Sequence, residues 1–210
     1  MLPNTFPSLE EFEIKKSKPL LICDADEVIF DFMNSFEKYL EKKNLYFNWN
    51  SYALEGNIID NNNNAVEKRL IKKIIDDFFL NNTFNMRLIS GAKESLNRIS
   101  KAYNIIILSN IPFRFYDKRL LSLKKNGFEY PFFANQGTKG KTIKFMSKKL
   151  NSVWFIDDSP YQIKSVKLEK AEVNTILYVN NTKLASLITQ EKCWDYYSNH
   201  WKQNEKILLN

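Results

Sequence analysis

Short apolar runs that end in polar residues recur along the chain and predict buried β-strands. The runs are rich in Ile, Val, Leu and Phe, which is typical of strands covered on both faces. They lie at residues 20–23, 105–108, 132–134, 153–156 and 175–179. Segments with helical character lie between them, at residues 92–102, 113–125, 139–150 and 160–168. Strands that alternate with helices predict an α/β fold with a doubly wound, Rossmann-like parallel sheet.

The interval between the first two predicted strands is too long for a single crossover helix. It spans about 80 residues, whereas a crossover connection needs roughly a dozen or more. Residues 32–43 and 65–80 within it have the periodicity of amphipathic helices. The sequence therefore predicts an α/β core made of residues 1–33 and 86–210, with a small helical module inserted at residues 34–85.

The C-terminal segment is rich in aromatic residues. Trp194, Tyr197 and Trp201 recur there at helical spacing. We interpret these side chains as a stripe that packs against the core. A surface for a partner protein is the alternative.

The charge balance is basic, with 31 Lys and Arg against 24 Asp and Glu and a net charge of +7. Most of the cations are Lys residues scattered among Asn and Ile, so we interpret them as a solvated surface and expect no nucleic-acid partner. No segment approaches the roughly 18 apolar residues of a membrane span, and the N-terminus lacks the apolar stretch of a signal peptide. We therefore expect a cytoplasmic protein with no membrane partner.

Cysteine and histidine are too few for several common kinds of active site. Cys23 and Cys193 lie far apart, which fits a reducing compartment better than a disulfide framework. His200 is the only histidine of the sequence. Catalysis by a histidine base and metal sites with several histidines therefore have little support.

Polar side chains follow three of the predicted strands at the point where each strand ends. Each of them alone is ordinary turn or cap chemistry. Because the carboxyl ends of parallel strands meet at one edge of a sheet, all of them are expected to line one cleft. They are Asp24 and Asp26 after the first strand, Ser109 and Asn110 after the second, and Asp157 and Asp158 after the fourth.

The carboxylates in this predicted cleft suggest a particular chemistry. Several carboxylates held together must be protonated or neutralised by a cation, and oxygen ligands without His or thiolate favour Mg²⁺. An oxygen of Asp24 could then attack a phosphorus atom and form an aspartyl-phosphate. Asp26 is placed to protonate the leaving alcohol and then to deprotonate the attacking water.

A phosphoryl group also needs donors for its remaining oxygens. The Ser109 hydroxyl and the backbone N–H of Asn110 are candidates. Lys139 and Lys141, in the segment "TKGKT", stand at the start of a predicted helix, where the helix dipole also favours anions. Spacing alone leaves the choice between these two lysines open.

The order of these motifs resembles the haloacid dehalogenase-like (HAD) hydrolase superfamily. The segment "LLICDADEVI" is similar to the first motif of that family, an apolar strand followed by DxD, and "IIILSN" to the second. The segment "TKGK" is similar to the third motif, a lysine at a helix start, and "VWFIDDSP" to the fourth. The resemblance covers about residues 20–179 and implies a HAD-like fold, in which residues 34–85 occupy the place of a cap.

The resemblance also implies roles for the site residues. Asp24 would be the nucleophile, and Asp26 the general acid and base, whose backbone carbonyl would also bind Mg²⁺. Asp157 would be a direct Mg²⁺ ligand, and Asp158 a ligand or an orienting group. Ser109 and a lysine would hold the phosphoryl oxygens, and the "KG" pair favours Lys139 over Lys141.

The presence of Asp26 bears on the type of reaction. Family members that displace halide lack this second acid, so the resemblance favours phosphomonoester hydrolysis over dehalogenation. Glu27 departs from the family, where Gly or Thr is common at this place. It adds a negative charge at the mouth of the cleft.

Two likenesses within the superfamily bear on the substrate, a small phosphorylated metabolite. The opening "DADEVIFDF" resembles the small cytosolic deoxyribonucleotidases, although "SNIP" differs from their second motif, and it also resembles uncharacterised bacterial HAD-like hydrolases. A nucleotide is therefore one candidate substrate. Arg114, just after "SNIP", is the candidate contact for an anionic group of it.

Alternative functions remain open at the level of sequence. A receiver domain uses similar residues, but its lysine comes last, whereas here Lys139 precedes Asp157 and Asp158. A catalytically silent HAD-like binding or scaffolding protein is the stronger alternative. All four motif positions are filled, which favours the enzyme.

Overall fold

The computed structural model describes residues 3–9, 14, 17–148, 150–188 and 191–210. The predicted core range 1–33 therefore includes residues 1, 2, 10–13, 15 and 16, which lie outside the described residues. The strands are β1 Thr5–Phe6, β2 Leu20–Cys23, β3 Tyr46–Phe47, β4 Ile58–Ile59, β5 Asn104–Ser109, β6 Phe132–Asn135, β7 Val153–Asp157, β8 Asn174–Tyr178 and β9 Tyr196–Ser198. The helices are α1 Phe32–Glu41, α2 Lys68–Asn82, α3 Ala92–Ile99, α4 Tyr116–Lys125, α5 Gly140–Met146, α6 Pro160–Glu169, α7 Thr182–Ser186 and α8 Trp201–Leu209.

The main sheet has the strand order β1-β6-β5-β2-β7-β8-β9 in the described residues. Its neighbouring strands are parallel except for β1, which pairs antiparallel with β6. Strand β2 lies between β5 and β7, and Cys23 is level with Ile107 on one side and Ile156 on the other. The prediction of an α/β fold with a parallel sheet is confirmed.

Strand β2 is buried on both faces because its four residues carry no charged or hydrogen-bonding side chain except the Cys23 thiol. All four are inaccessible to solvent. Each fully buried Leu or Ile side chain stabilises the fold by roughly 1.5–3 kcal/mol. The change from apolar to acidic residues after Cys23 therefore marks the end of the strand, while the loop that follows stays buried at Ala25 and residues 28–30.

The long interval between β2 and α3 contains α1, the ribbon of β3 and β4, and α2. The helix predicted over 32–43 is present as Phe32–Glu41, and the one predicted over 65–80 as Lys68–Asn82. Phe36 of α1 and Phe78 of α2 meet edge to face, with ring centroids 5.1 Å apart. Aromatic packing therefore joins the two helices of the inserted segment.

The interpretation of the C-terminal aromatic residues as one stripe is wrong. Tyr197 belongs to β9, where it is level with Leu177, and its side chain is exposed. Trp194 precedes that strand and is half-buried. Trp201 begins α8 and is the deeply buried one of the three.

The helix predicted over 139–150 is shorter than expected. It runs over Gly140–Met146, and residue 149 lies outside the described residues. Among the helices that the structure describes, none has the length and apolar content needed to cross a membrane.

Candidate active site

Three carboxylates converge where β2 and β7 end. Asp24 directly follows β2, and its backbone N–H donates to the carbonyl of Ile156 at 2.9 Å. Asp157 is the last residue of β7, and Asp158 follows it. Carboxylate oxygens of Asp24, Asp157 and Asp158 all lie within 4.8 Å of one another. The structure thus brings together three of the predicted metal ligands.

Lys139 lies against this cluster. Its Nζ is 2.6 Å from Asp24 Oδ1 and 2.7 Å from Asp157 Oδ2, and the side chain is only 2% exposed. Its backbone N–H donates to Gln162 Oε1 at 2.8 Å. Lys141, two residues later, is exposed. The structure therefore places Lys139, not Lys141, at the acidic cluster.

Close packing of α5 on α6 fixes the position of Lys139. A Cβ at Gly140 would lie 2.2 Å from the backbone oxygen of Ser165 in α6. No side chain fits at that distance, so the residue after Lys139 must be glycine if the helices are to approach this closely. The "KG" pair therefore has a packing reason as well as a chemical one.

The cluster carries more negative charge than one lysine balances. Burial raises the pKa of Asp24 to about 7; Lys139 opposes this rise, while Asp157 and Asp26 add to it. Burial and the charges of Asp157 and Asp24 hold the pKa of Asp158 well above its usual range. Burial lowers the pKa of Lys139, but Asp157 and Asp24 more than reverse this, so its pKa is raised. A hard divalent cation such as Mg²⁺ fits this set of crowded, buried oxygen donors.

The carboxylate of Asp26 is not part of this cluster. Its Oδ1 accepts a hydrogen bond from Nη2 of Arg119 at 2.6 Å, and its Oδ2 lies 3.5 Å from the hydroxyl of Ser109. The metal contact expected of Asp26 was its backbone carbonyl, which stays a prediction. The two acids of the DxD motif therefore have separate partners.

Ser109 and Asn110 lie where expected, at the end of β5. Ser109 is buried beside Asp26. The Asn110 amide donates to the Gly137 carbonyl at 2.7 Å, and its oxygen accepts from Asn135 at 2.8 Å. The Asn110 side chain thus holds the loop after β6, which leaves its backbone N–H as the candidate phosphoryl donor.

Two connected cavities lie above these residues. The smaller, here called the catalytic pocket, has a volume of about 190 Å³ and is lined by Asp24, Asp26, Glu27, Tyr52, Ser109 and Asp158, among others. The larger, here called the chamber, has a volume of about 670 Å³ and shares Asp26, Phe32, Leu54 and Asn110 with the catalytic pocket. The shared residues make the two cavities one cleft between the inserted segment and the core.

Arg114 lies on the wall of the chamber. Its guanidinium forms an ion pair with Asp76 of α2 and stacks on the ring of Phe115 at 5.0 Å. The predicted substrate contact is therefore in the cleft but has an acidic partner within the protein.

Glu27 and Arg119 are the site residues whose importance the sequence did not reveal. From the sequence, Glu27 is expected to add a negative charge at the mouth of the cleft, but its side chain is buried and burial raises its pKa to about 8, so this expectation is wrong. Arg119 is absent from the residues predicted from the sequence. Arg119 lies four residues after Phe115 and four before Leu123, both of which are apolar and buried, on a helical face that also buries Ser122. A charged residue at such a position was the available signal.

Comparison with known proteins identifies solved structures that share this architecture. No family model matches the chain, and no curated protein matches its sequence significantly. A structure from Bacillus subtilis, described as an HAD hydrolase bound to magnesium, has a TM-score of 0.61 and 13% identity over 92% of this chain and 99% of its own. One from Clostridium difficile, described as a phosphatase, has a TM-score of 0.57 and 14% identity over 92% of this chain and 100% of its own. An L-2-haloacid dehalogenase has a TM-score of 0.59 and 12% identity over 91% and 100%.

These likenesses extend over nearly the whole of both chains but rest on few identical residues. They establish the fold, and the HAD-like architecture predicted from the motif order is confirmed. The similar structures include hydrolases of different chemistry, so the choice between those chemistries depends on the side chains of this site.

Proposed function

We propose that this chain, which has the fold of the HAD-like hydrolases, is a Mg²⁺-dependent phosphomonoesterase that acts through an aspartyl-phosphate on Asp24. The observation that carries the proposal is that the two acids of the DxD motif have different partners. Asp24 is paired with Lys139 in the acidic cluster, and Asp26 is held apart by Arg119 on the same pocket. A nucleophile and a separate proton donor are what phosphate ester hydrolysis requires.

The reaction has two half-reactions. In the first, an oxygen of Asp24 forms a bond to phosphorus while the ester P–O bond breaks, and Asp26 gives its proton to the leaving alcohol. In the second, water attacks phosphorus as Asp26 takes its proton, and the bond from phosphorus to Asp24 breaks. Asp26 returns to its protonated state and free phosphate leaves.

A small set of residues would compensate the negative charge of the phosphoryl group. Lys139, the Ser109 hydroxyl and the Asn110 backbone N–H would bind its oxygens. Asp24, Asp157 and Asp158 would hold Mg²⁺, together with the backbone carbonyl of Asp26 that the family resemblance implies. When bound, Mg²⁺ offsets the negative charge of the cluster and polarises the phosphoryl group.

The alcohol part of the substrate would occupy the chamber. In this proposal residues 34–85 act as the cap, because α2 contributes Ile71, Ile75 and Phe79 to the chamber wall. A volume of about 670 Å³ with an apolar wall suits a small phosphorylated metabolite with a bulky alcohol, a nucleotide included. Arg114 would contact a second anionic group by exchanging Asp76 for it.

Halide displacement is the rival chemistry, since a dehalogenase shares the fold. Asp26 favours phosphate hydrolysis, because an acid that protonates a leaving alcohol has no use when the leaving group is halide. A catalytically silent scaffold would have no reason to keep a buried cluster of repelling carboxylates.

The test is phosphate release from a panel of nucleotides, sugar phosphates and aryl phosphates, with Mg²⁺ and with excess chelator. We expect release that requires Mg²⁺, and loss of it in Asp24→Asn, which keeps the shape of the side chain but removes the nucleophile. Halide release from 2-haloacids is measured in parallel. Full phosphatase activity in Asp24→Asn, or halide release alone, would contradict the proposal.

A further inference from the structure

A fully buried arginine touches one of the two catalytic acids. Arg119 of α4 is 0% exposed, and its Nη2 donates to Asp26 Oδ1 at 2.6 Å. Its Nε and Nη1 have no hydrogen-bond partner within the described residues. A buried charge held by so few hydrogen bonds is a poor source of stability, because desolvation offsets most of the attraction. The arrangement therefore calls for a functional reason.

Two aromatic rings hold the guanidinium in place. Its central carbon lies 4.7 Å from the ring centroid of Phe30 and 6.0 Å from that of Phe79. Phe30 belongs to the loop that carries the DxD motif, and Phe79 to α2 of the inserted segment. Cation–π contacts of this kind stabilise the buried charge and offset part of the hydrogen bonding that Nε and Nη1 lack. Arg119 is thus fixed between the catalytic loop and the wall of the chamber.

The contact makes the two oxygens of Asp26 unequal. Oδ1 is occupied by Arg119, whereas Oδ2 lies 3.5 Å from the hydroxyl of Ser109, a residue that lines the catalytic pocket together with Asp24. The oxygen that faces the candidate phosphoryl contact is therefore Oδ2. A carboxylate held through one oxygen can rotate little, so its other oxygen keeps a fixed direction.

We propose that Arg119 is a positioning residue that holds Asp26 so that Oδ2, and not Oδ1, exchanges the proton with the leaving alcohol and the attacking water. The inference rests on the proposed phosphatase reaction. In the first half-reaction the proton moves from Oδ2 to the ester oxygen as the P–O bond breaks. In the second, a proton moves from water to Oδ2. Arg119 takes part in no proton transfer of this reaction and touches no substrate.

The inference predicts a dependence on the leaving group that a merely structural residue would not produce. Arg119→Met should lower kcat for alkyl phosphates about 100-fold, within the range of about 10²–10⁴ that general acid catalysis contributes. For p-nitrophenyl phosphate, whose leaving group needs little protonation, kcat should fall less than about tenfold. KM should change little for either ester. Equal losses for both esters would overturn the inference.

Comparison with Asp26 variants links the effect to the acid. Asp26→Asn should show the same difference between alkyl and aryl esters, and the double variant should lose no more than Asp26→Asn alone. Losses that multiply in the double variant would show that Arg119 acts independently of Asp26. Lys124→Met on the exposed side of the same helix is the matched control and should behave as wild type.

Two further measurements keep folding and function apart. Should Arg119→Met fail to fold, Arg119→Lys keeps the charge with a single ammonium group, and we expect the same selective loss to a smaller extent. A crystal structure of a folded Arg119 variant tests positioning without any activity: the Asp26 carboxylate should leave its place. An unmoved carboxylate would overturn the inference even if phosphatase activity is present. Absence of wild-type activity on the panel, with a carboxylate that moves in the variant, would overturn the proposed function and the proton exchange but not the positioning of Asp26 by Arg119.

Discussion

Glu27 is a carboxyl group buried directly after the DxD motif. It has a positive φ of 59°, unusual for a residue with a side chain, and it accepts a 2.5 Å hydrogen bond from the backbone N–H of Met33. Burial raises its pKa to about 8; the bond from Met33 opposes this, and the charges of Asp31 and Asp26 add to it. The residue ties the DxD loop to the first helix of the inserted segment.

Stability should therefore depend on pH through Glu27. Below its usual pKa of 4.5 the group is protonated in both states. Between pH 4.5 and 8 the unfolded chain ionises while the folded protein keeps its proton, so folding loses stability as the pH rises, and the loss is complete above pH 8. Glu27→Gln, which still accepts the hydrogen bond from Met33, should raise Tm at pH 8.5 but not at pH 4. At pH 8.5 the free energy of unfolding should increase by on the order of 1–4 kcal/mol. Equal shifts at both pH values would contradict this account.

Lys139 and Lys141 offer a matched pair of substitutions. Lys139→Met should reduce phosphate release by about 100-fold or more, because it removes a buried charge beside Asp24, and it should also lower Tm because two buried carboxylates lose their partner. Lys141→Met, on the exposed side of the same turn, should leave both unchanged. Phosphate release and thermal unfolding of the two variants in parallel measure this.

The sequence allowed us to predict those site residues that stand at the end of a buried strand. Asp24, Ser109 and Asp157 each follow or end a buried apolar run, so their meeting place follows from the sheet. Arg119 could not be found in the same way, because its contact with Asp26 depends on how α4 packs against a loop 93 residues earlier in the chain. The position of Arg119 among buried residues of α4 is unusual for a charged side chain, but nothing in the sequence indicates Asp26 as its partner.

At the scale of secondary-structure elements, a strand could be predicted where its hydrophobic pattern was long enough to recognise. The long apolar strands were found within about one residue of their ends. Strands β1 and β9 were missed because two or three residues are too few to show alternation, and they form only against partners already in place. The strand order also lay beyond local pattern, since it depends on which strands meet in space.

Helix α8 packs behind the DxD loop through Trp201. Trp201 is 1% exposed, its Nε1 donates to the Val28 carbonyl at 2.8 Å, and its ring centroid lies 5.6 Å from that of Tyr178. The helix is also tied to α3 by Arg98, whose Nε and Nη2 reach Glu205 at 2.6 and 2.7 Å. The C-terminal helix is thus part of the support of the site.

Substitution of Trp201 should weaken the whole fold. Trp201→Phe keeps an aromatic ring but leaves the buried Val28 carbonyl without this donor, which should cost about 1–3 kcal/mol. Trp201→Ala should cost about 3–5 kcal/mol. Trp194→Phe, at a half-buried position, is the control and should cost less than about 1 kcal/mol. Urea unfolding of the three variants measures these differences, and equal costs for Trp194→Phe and Trp201→Phe would contradict the assignment.

For the whole molecule, the net charge is positive although the candidate site is acidic. The chain carries a net charge of +7, while the cluster holds three acids and one lysine that contacts two of them. Binding of Mg²⁺ to the folded state alone should stabilise it by about 2.7 kcal/mol at 100 times its Kd, and a chain of this length should gain roughly 5–10 °C in Tm. Thermal unfolding over a range of Mg²⁺ concentrations, with chelator as reference, measures the shift.

Asp158→Asn sharpens this test, because it should raise Tm without the metal ion and reduce the gain in Tm that the metal ion brings. In chelator it should raise Tm, since burial and the charges of Asp157 and Asp24 disfavour the ionised form of Asp158 in the folded protein. In Mg²⁺ it should show a smaller gain than wild type, since one ligand is lost. Glu172→Gln, at an exposed position, is the control and should follow wild type. An unchanged Mg²⁺ response in Asp158→Asn would argue against the metal assignment.

The bond between Trp201 and Val28 has a consequence for how the protein is made. The two residues are 173 positions apart, and ribosomes add roughly 5–20 residues per second. Asp24 and Asp26 therefore exist for roughly 9–35 s of synthesis before the tryptophan that supports their loop has been joined to the chain. A nascent or prematurely ended polypeptide carries both acids on an unsupported loop. Synthesis of Trp201 thus sets the earliest time at which the DxD loop acquires its final support.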